Sequence, residues 1–284
     1  MTVAVTGASG QLGRLVVEAL LRREAGPIVA IVRDRSKVAD LAERGVEVRE
    51  ASYDDAEAFD RALTGVDRLL LVSGNEFGKR VEQHTTVIRA AERAGVQLVA
   101  YTSIPRATDN PLILAQEHRG TEAALAASTV PHTLLRNGWY WENYLGGLAP
   151  AIEGGVLYGA AGQGRVSAAA RADYAEAAAV VLTTDGHAGQ VYELGGDEAF
   201  TYADLAQVIS QVSGKPVRYQ DLPEADYVVA LETAGLPEHL AKGLADADTG
   251  ISNGLLEVTT GDLAKLLGRP AAGPAEVYRA ALSQ

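Results

Sequence analysis

The run Gly7-Ala8-Ser9-Gly10-Gln11-Leu12-Gly13 sets glycines at a G-x-x-G-x-x-G spacing directly after a short β-rich stretch. That spacing suits a tight strand-to-helix turn whose backbone N–H groups approach a pyrophosphate at a helix N-terminus. The last glycine lets the helix pack closely on the strand. Gly7, Ser9, Gly10, Gln11, Leu12 and Gly13 are therefore expected to bind a dinucleotide. About twenty residues further on, such sites carry an acid for a ribose 2′-hydroxyl or an arginine for a 2′-phosphate. Arg33 stands there, with Arg35 and Lys37 following and Arg14 within the first helix. A guanidinium fork matches phosphate geometry, which points to NADP(H), and NADPH is the expected cofactor. The alternative is that Arg33 is a solvated strand end and Asp34 the ribose ligand.

Other strand ends should complete the site, because ligands of such sheets lie beyond the carboxyl ends of the strands. Asp54 could face the adenine or cap a helix. Ser73, Gly74 and Asn75 follow the fourth expected strand and should run under the middle of the cofactor. Thr102 and Ser103 end the fifth, beside the nicotinamide ribose. A proton donor is harder to find. None of the eleven tyrosines has a lysine four residues on, the pair that would lower a tyrosine pKa for carbonyl reduction. His118 is an acid candidate or a cofactor contact, and equally a surface histidine. No metal-site spacing or nucleophile–base motif is present. A general acid is worth about 10²–10⁴-fold in rate, so the acceptor should be electrophilic enough to do without one, such as a quinone or conjugated dye.

The elements that must position these groups alternate. Apolar β-rich runs are expected at Thr2–Thr6, Pro27–Arg33, Val46–Glu50, Val66–Val72, Val96–Ser103 and Pro131–Arg136. Helices are expected between them, including Gln11–Arg23, Arg80–Ala94 and Leu112–Ala127. Continuous apolar strands separated by helices predict an α/β fold, a Rossmann-type doubly wound parallel sheet. Gly45, Gly65 and Gly95 sit where a left-handed residue would end each helix. The pattern loosens after Gly138. Glycines between Gly154 and Gly164 break up short strand candidates, and Asp173 reads as the N-cap of a helix over Tyr174–Leu182. A strand at Val191–Leu194 and a helix at Tyr202–Ser213 follow. The expected organisation is an NADP-binding domain over 1–137, with later segments returning to it at about 166–195. A smaller, mostly helical substrate-side lobe, 138–284, is interleaved with it.

Composition bounds the partners. The chain of 284 residues carries a net charge of −12 and no cysteine. Nucleic acid and anionic membrane surfaces are unexpected partners for so acidic a chain. Thiolate nucleophiles, disulfides and iron–sulfur ligation are excluded. The first strand follows the initiator directly and no apolar run is long enough to span a bilayer, so a cytoplasmic protein is expected. A homodimer is compatible with all of this.

The segments Ala4–Gly13, Ala30–Arg33, Gly45–Arg49, Ala100–Ser103, Arg136–Tyr144, Arg171–Ala177 and Gly186–Gly189 resemble the NmrA-like, atypical short-chain dehydrogenase/reductase family, over essentially the whole chain. The resemblance implies an NADPH-dependent reductase acting on a quinone or similarly activated planar acceptor. It assigns Phe77 and its neighbours to closure over the cofactor. Gly138, Trp139, Tyr140 and Asn143 would line the nicotinamide and the acceptor pocket, with Asn143 orienting the acceptor and Arg171 bordering the cleft. The flat rings of Trp139 and Tyr140 suit stacking on a planar acceptor, and suit packing in the core equally. The family also contains non-catalytic, redox-sensing regulators and triphenylmethane or azo dye reductases. Those remain the alternatives.

Overall fold

A computed structural model describes residues 1–283. Strands β1 (Val3–Thr6), β2 (Ile28–Val32), β3 (Glu47–Glu50), β4 (Arg68–Leu71), β5 (Leu98–Ser103) and β6 (His132–Asn137) belong to one sheet. With β8 (Val191–Leu194), which follows the separate β7 (Val156–Gly159), the order is β3-β2-β1-β4-β5-β6-β8. The register is parallel from β3 through β6. This is the doubly wound order, reversing between β1 and β4, where ligands bind beyond the strand ends.

Helices α1 (Gln11–Arg22), α2 (Ala39–Glu43), α3 (Ala56–Ala62), α4 (Arg80–Ala94) and α5 (Ile113–Ala126) make the crossovers. Every residue of β1, β2 and β5 is buried, as two covered faces require. Side chains alternate across the sheet. Ala4, Ile31, Leu69, Leu71, Val99 and Tyr101 join Phe59, Leu63, Val87 and Ile88 in one core. Burying each Leu, Ile or Phe of that cluster contributes about 1.5–3 kcal/mol.

The strand expected at Val46–Glu50 is not a buried run. β3 is the sheet's edge, partly exposed, and Arg49 pairs with Glu47 while its Nη1 donates to the carbonyls of Ala62 and Thr64. Val46, just outside the strand, supplies the apolar anchor. Gly45, Gly65 and Gly95 do take left-handed conformations, at φ of 88°, 72° and 70°. Gly95 caps α4.

The remaining elements are α6 (Leu145–Gly154), β7, α7 (Arg171–Thr183), β8, α8 (Tyr202–Ser213), β9 (Arg218–Asp221), α9 (Glu224–Thr233), α10 (Glu238–Ser252), α11 (Asp262–Leu267) and α12 (Pro274–Leu282). Only one strand forms among the glycines of 154–164. It is β7, paired in parallel with β9. Asp173 is not an N-cap but lies buried inside the first turn of α7, which begins two residues earlier at Arg171. The chain divides into two compact units. One holds Met1–Thr108, Gln116–Asn137 and Ala172–Tyr192, and the other Asp109–Ala115, Gly138–Arg171 and Glu193–Gln284. Among the described residues no helix is long and apolar enough to cross a membrane.

Candidate active site

The glycine turn leaves β1 with Gly7 at φ +58°, a left-handed conformation that favours glycine. The N–H of Gly10 donates back to the Gly7 carbonyl at 2.8 Å, closing the turn. A Cβ on Gly13 would lie 2.4 Å from that same carbonyl oxygen, inside any real contact distance. Only glycine lets α1 start this close to the strand. Gly10 is the N-cap of α1, and no side chain caps the helix there. The first N–H groups of a helix need a partner, and a phosphate supplies one. Ser9, Gly10 and Gln11 are exposed and Leu12 partly so, which leaves room for a pyrophosphate. The cradle therefore fits a dinucleotide.

At the end of β2, Arg33 points into solvent and its Nη1 donates to Glu76 Oε1 at 3.2 Å. Asp34 is committed elsewhere. Its carboxylate accepts from the Ser36 N–H at 2.9 Å and the Ser36 hydroxyl at 2.6 Å, bonds that hold its pKa below the ordinary value. Arg14 pairs with Asp40 and lies 3.6 Å from Glu18. Arg33 thus leans towards the segment after β4.

That segment, 73–78, is tied down along its backbone. The Ser73 N–H donates to Thr102 Oγ1 at 2.8 Å, and the Gly78 N–H to Glu117 Oε1 at 2.7 Å. Between them the Gly74 peptide is gripped from both sides: its N–H donates to His84 Nε2 at 3.0 Å and its carbonyl accepts from Arg80 Nε at 2.6 Å. His84 Nε2 is thus an acceptor, so Nδ1 carries the proton and donates to Thr121 Oγ1 at 2.9 Å. Burial, with the Arg80 charge behind it, lowers the His84 pKa to about 3. Asn75, Glu76 and Phe77 are carried on this strap, and Phe77 is about half exposed with the Arg80 guanidinium 5.2 Å from its ring. Tyr53 closes the floor, donating to Thr6 Oγ1 at 2.7 Å and lying 2.8 Å from the Val72 carbonyl. Sequence reasoning missed Tyr53, Arg80, His84 and Thr121, because each acts through tertiary contacts that no local spacing announces.

At the end of β5, Ser103 donates to Glu122 Oε1 at 2.6 Å, and Glu122 is paired with Arg136 at 2.7 Å. His118 belongs to the interior. It is 8% exposed and its Nδ1 lies 2.8 Å from the Tyr101 hydroxyl. Burial first, then the Arg80 charge, lower its pKa to about 3. The expectation of a surface histidine gives way to a buried one, packed between β5 and α5.

In the other unit, Gly138 donates to the Leu194 carbonyl at 2.7 Å, and the main chain of Trp139–Trp141 bonds alternately with Ala169. These bonds hold Trp139 and Tyr140 partly buried while Asn143 stays exposed. Trp141, not Trp139 or Tyr140, is the core aromatic: it is fully buried and its Nε1 donates to the Ala272 carbonyl at 3.1 Å. The Arg171 guanidinium lies 5.0 Å from the centre of the Tyr140 ring. Both carboxylate oxygens of Glu142 accept from the Arg171 N–H, at 2.9 and 3.0 Å. Tyr140, Glu142 and Arg171 thus form one cluster.

Beside it is a cavity of about 380 Å³ that includes Trp139, Asn143, Tyr144, Leu157, Leu231 and Leu236 in its wall. This is the size of a small-ligand pocket, apolar with a few polar groups. Tyr202 and Asp248 line it too, the tyrosine hydroxyl donating to the carboxylate. Burial raises the Asp248 pKa to about 6, against the opposing pull of bonds from Tyr202 and the Ala160 N–H. Of the residues that the resemblance assigned to the acceptor pocket, Trp139 and Asn143 line this cavity, together with α9 and α10 side chains that the sequence did not single out.

Known proteins resemble the chain throughout. Quinone oxidoreductase 2 of Escherichia coli is 51% identical over 275 residues, covering 96% of each chain. A crystal structure of the NADPH-dependent quinone oxidoreductase from Escherichia coli, complexed with NADPH, superposes with a TM-score of 0.95 at 50% identity, covering 99% of this chain and 100% of that one. The Citrobacter triphenylmethane reductase complexed with NADP(H) gives 0.94 at 39% identity, covering 98% and 99%. The family model for NmrA-like proteins matches residues 1–249, and the chain belongs to the NmrA-like family.

Proposed function

We propose that the protein is an NADPH-dependent reductase that delivers a hydride to a quinone. The observation that carries this reading is the turn at the end of β1, where a Cβ on Gly13 would meet the Gly7 carbonyl oxygen at 2.4 Å and α1 begins without a side-chain cap. A pyrophosphate fits there and Arg33 supplies a guanidinium for the 2′-phosphate. NADPH, when bound, supplies the hydride. The similarity to a quinone oxidoreductase over nearly the full length supports the acceptor class.

The residues' part is positioning. Ser73, Gly74 and Asn75 run beneath the cofactor, with Thr102 and Ser103 at the ribose and Phe77 over its face. Gly138, Trp139, Tyr140 and Asn143 line the acceptor's side, and Arg171 fixes the Tyr140 ring. Holding two reactants in register replaces an encounter between them, a large part of the barrier for an acceptor this electrophilic. In this reading His118, buried and bonded to Tyr101, serves the core rather than proton transfer. Solvent protonates the reduced quinone. A cytoplasmic location, where NADPH is supplied, belongs to the same reading.

Comparing acceptors on the NADPH-loaded protein tests the acceptor class. Benzoquinones and naphthoquinones should be reduced faster than triphenylmethane or azo dyes. Faster turnover of a dye would reassign the acceptor while leaving the cofactor site intact.

A further inference from the structure

Glu76 puts a carboxylate where a 2′-phosphate would seek its arginine. One oxygen, Oε1, accepts from Arg33 Nη1 at 3.2 Å. The other, Oε2, accepts from Gln83 Nε2 at 3.2 Å. Gln83 is 3% exposed and its amide nitrogen is also 3.1 Å from Asp54 Oδ1. Lys79 adds a looser contact at 3.9 Å. The carboxylate is therefore not a free surface charge. It is anchored on a buried amide, and the strap that carries it is bonded at Ser73, Gly74 and Gly78.

We propose that Glu76 is a specificity-determining residue, a built-in counter-ion for Arg33 that a 2′-phosphate must displace or crowd. The inference rests on the reading of Arg33 as the 2′-phosphate ligand. A guanidinium has other N–H edges, but a phosphate on any of them shares that guanidinium with the Glu76 carboxylate and lies within about 10 Å of it, the screening length at 0.1 M salt. Like charges at that range oppose one another even near the surface. Glu76 thus lowers the affinity for NADPH and NADP⁺ alike, and leaves NADH, which has no 2′-phosphate, untouched. Its consequence is faster release of spent NADP⁺, with the carboxylate taking the guanidinium back as the phosphate leaves. An exchangeable ion pair on an exposed edge is weak enough to serve this way.

Isothermal titration of NADPH, NADP⁺ and NADH into the wild-type protein, Glu76→Gln, Arg33→Ala and the double variant tests the inference without turnover. Glu76→Gln keeps a hydrogen-bonding group for Gln83 and removes the charge. It should tighten NADPH and NADP⁺ by about three- to tenfold, slow NADP⁺ release in proportion, and leave NADH within about twofold. In the Arg33→Ala background the same change should lose the part of its effect that runs through the guanidinium. Unchanged or weaker NADPH binding in Glu76→Gln, with wild-type protein preferring NADPH, would show that Glu76 instead orients Arg33 and would overturn the proposal. Equal affinity of the wild-type protein for NADPH and NADH would instead remove Arg33 from the phosphate site.

Discussion

The Tyr101 hydroxyl and His118 Nδ1 lie 2.8 Å apart between β5 and α5, buried from solvent. Each satisfies the other's polar atom, so the pair works as a unit of the core. His118→Ala should cost about 2–4 kcal/mol of stability, from the cavity and from a stranded tyrosine hydroxyl. The shape of the pH–rate profile should be the same as in wild type. Urea unfolding and kcat measured against pH check the two halves, and loss of a titrating limb in the profile would restore His118 to the chemistry.

Acid should destabilise the fold in a defined window. His84 and His118 have pKa values lowered to about 3 by burial, against an ordinary value of 6.5. Below pH 6.5 the unfolded chain takes up protons that these imidazoles cannot, so stability falls with pH until the folded groups protonate near 3. The slope is roughly 1 kcal/mol per pH unit for each histidine. Asp248 works the other way, because its pKa is raised to about 6 from 3.8. Its favourable contribution lies below 3.8 and is lost as pH rises through 6. With two imidazoles against one carboxyl, urea midpoints should fall on acidification from pH 6 towards 4. A flat or rising midpoint would mean that the imidazoles protonate in place.

The close approach of Gly13 to Gly7 makes a sharp test of the turn. Gly13→Ala must push α1 away from β1, at a cost of about 1–3 kcal/mol. The displaced helix N-terminus should bind NADPH at least about tenfold more weakly, equivalent to about 1.4 kcal/mol. Thermal unfolding and NADPH titration measure both, and wild-type affinity in this variant would show that the first turn of α1 does not carry the pyrophosphate.

The acceptor side separates from the cofactor side. Asn143→Ala should lower kcat with a quinone about ten- to a hundredfold through lost orientation, with NADPH affinity changed by less than about twofold. Ala230 lines the 380 Å³ cavity, and Ala230→Phe should raise KM for a substituted naphthoquinone far more than for an unsubstituted benzoquinone. Loss of NADPH binding in Asn143→Ala would move that residue to the cofactor.

What the sequence made legible follows from the physics of each residue. The glycines were readable because the left-handed turn at Gly7 disfavours a side chain and a Cβ on Gly13 would fall 2.4 Å from the Gly7 carbonyl oxygen. The continuous apolar runs disclosed a parallel sheet covered on both faces, except at β3, an edge strand with no fully buried residue. Asp173 misled because an acid before an alanine-rich run looks like a cap, whereas here the helix starts at Arg171, whose N–H is met by Glu142. The His84 grip on Gly74 and the Tyr202–Asp248 pair in the cavity wall join residues through folding alone. Nothing in their local pattern distinguishes them from ordinary core or surface positions.

The most direct test of the central claim is NADPH oxidation by the purified protein on addition of a simple benzoquinone, followed against the rate without protein. Saturable, protein-dependent oxidation is expected, with NADPH preferred to NADH and the preference lost in Arg33→Ala. Tight NADPH binding with no oxidation beyond the uncatalysed rate would contradict the account and leave a protein that senses the cofactor without spending it.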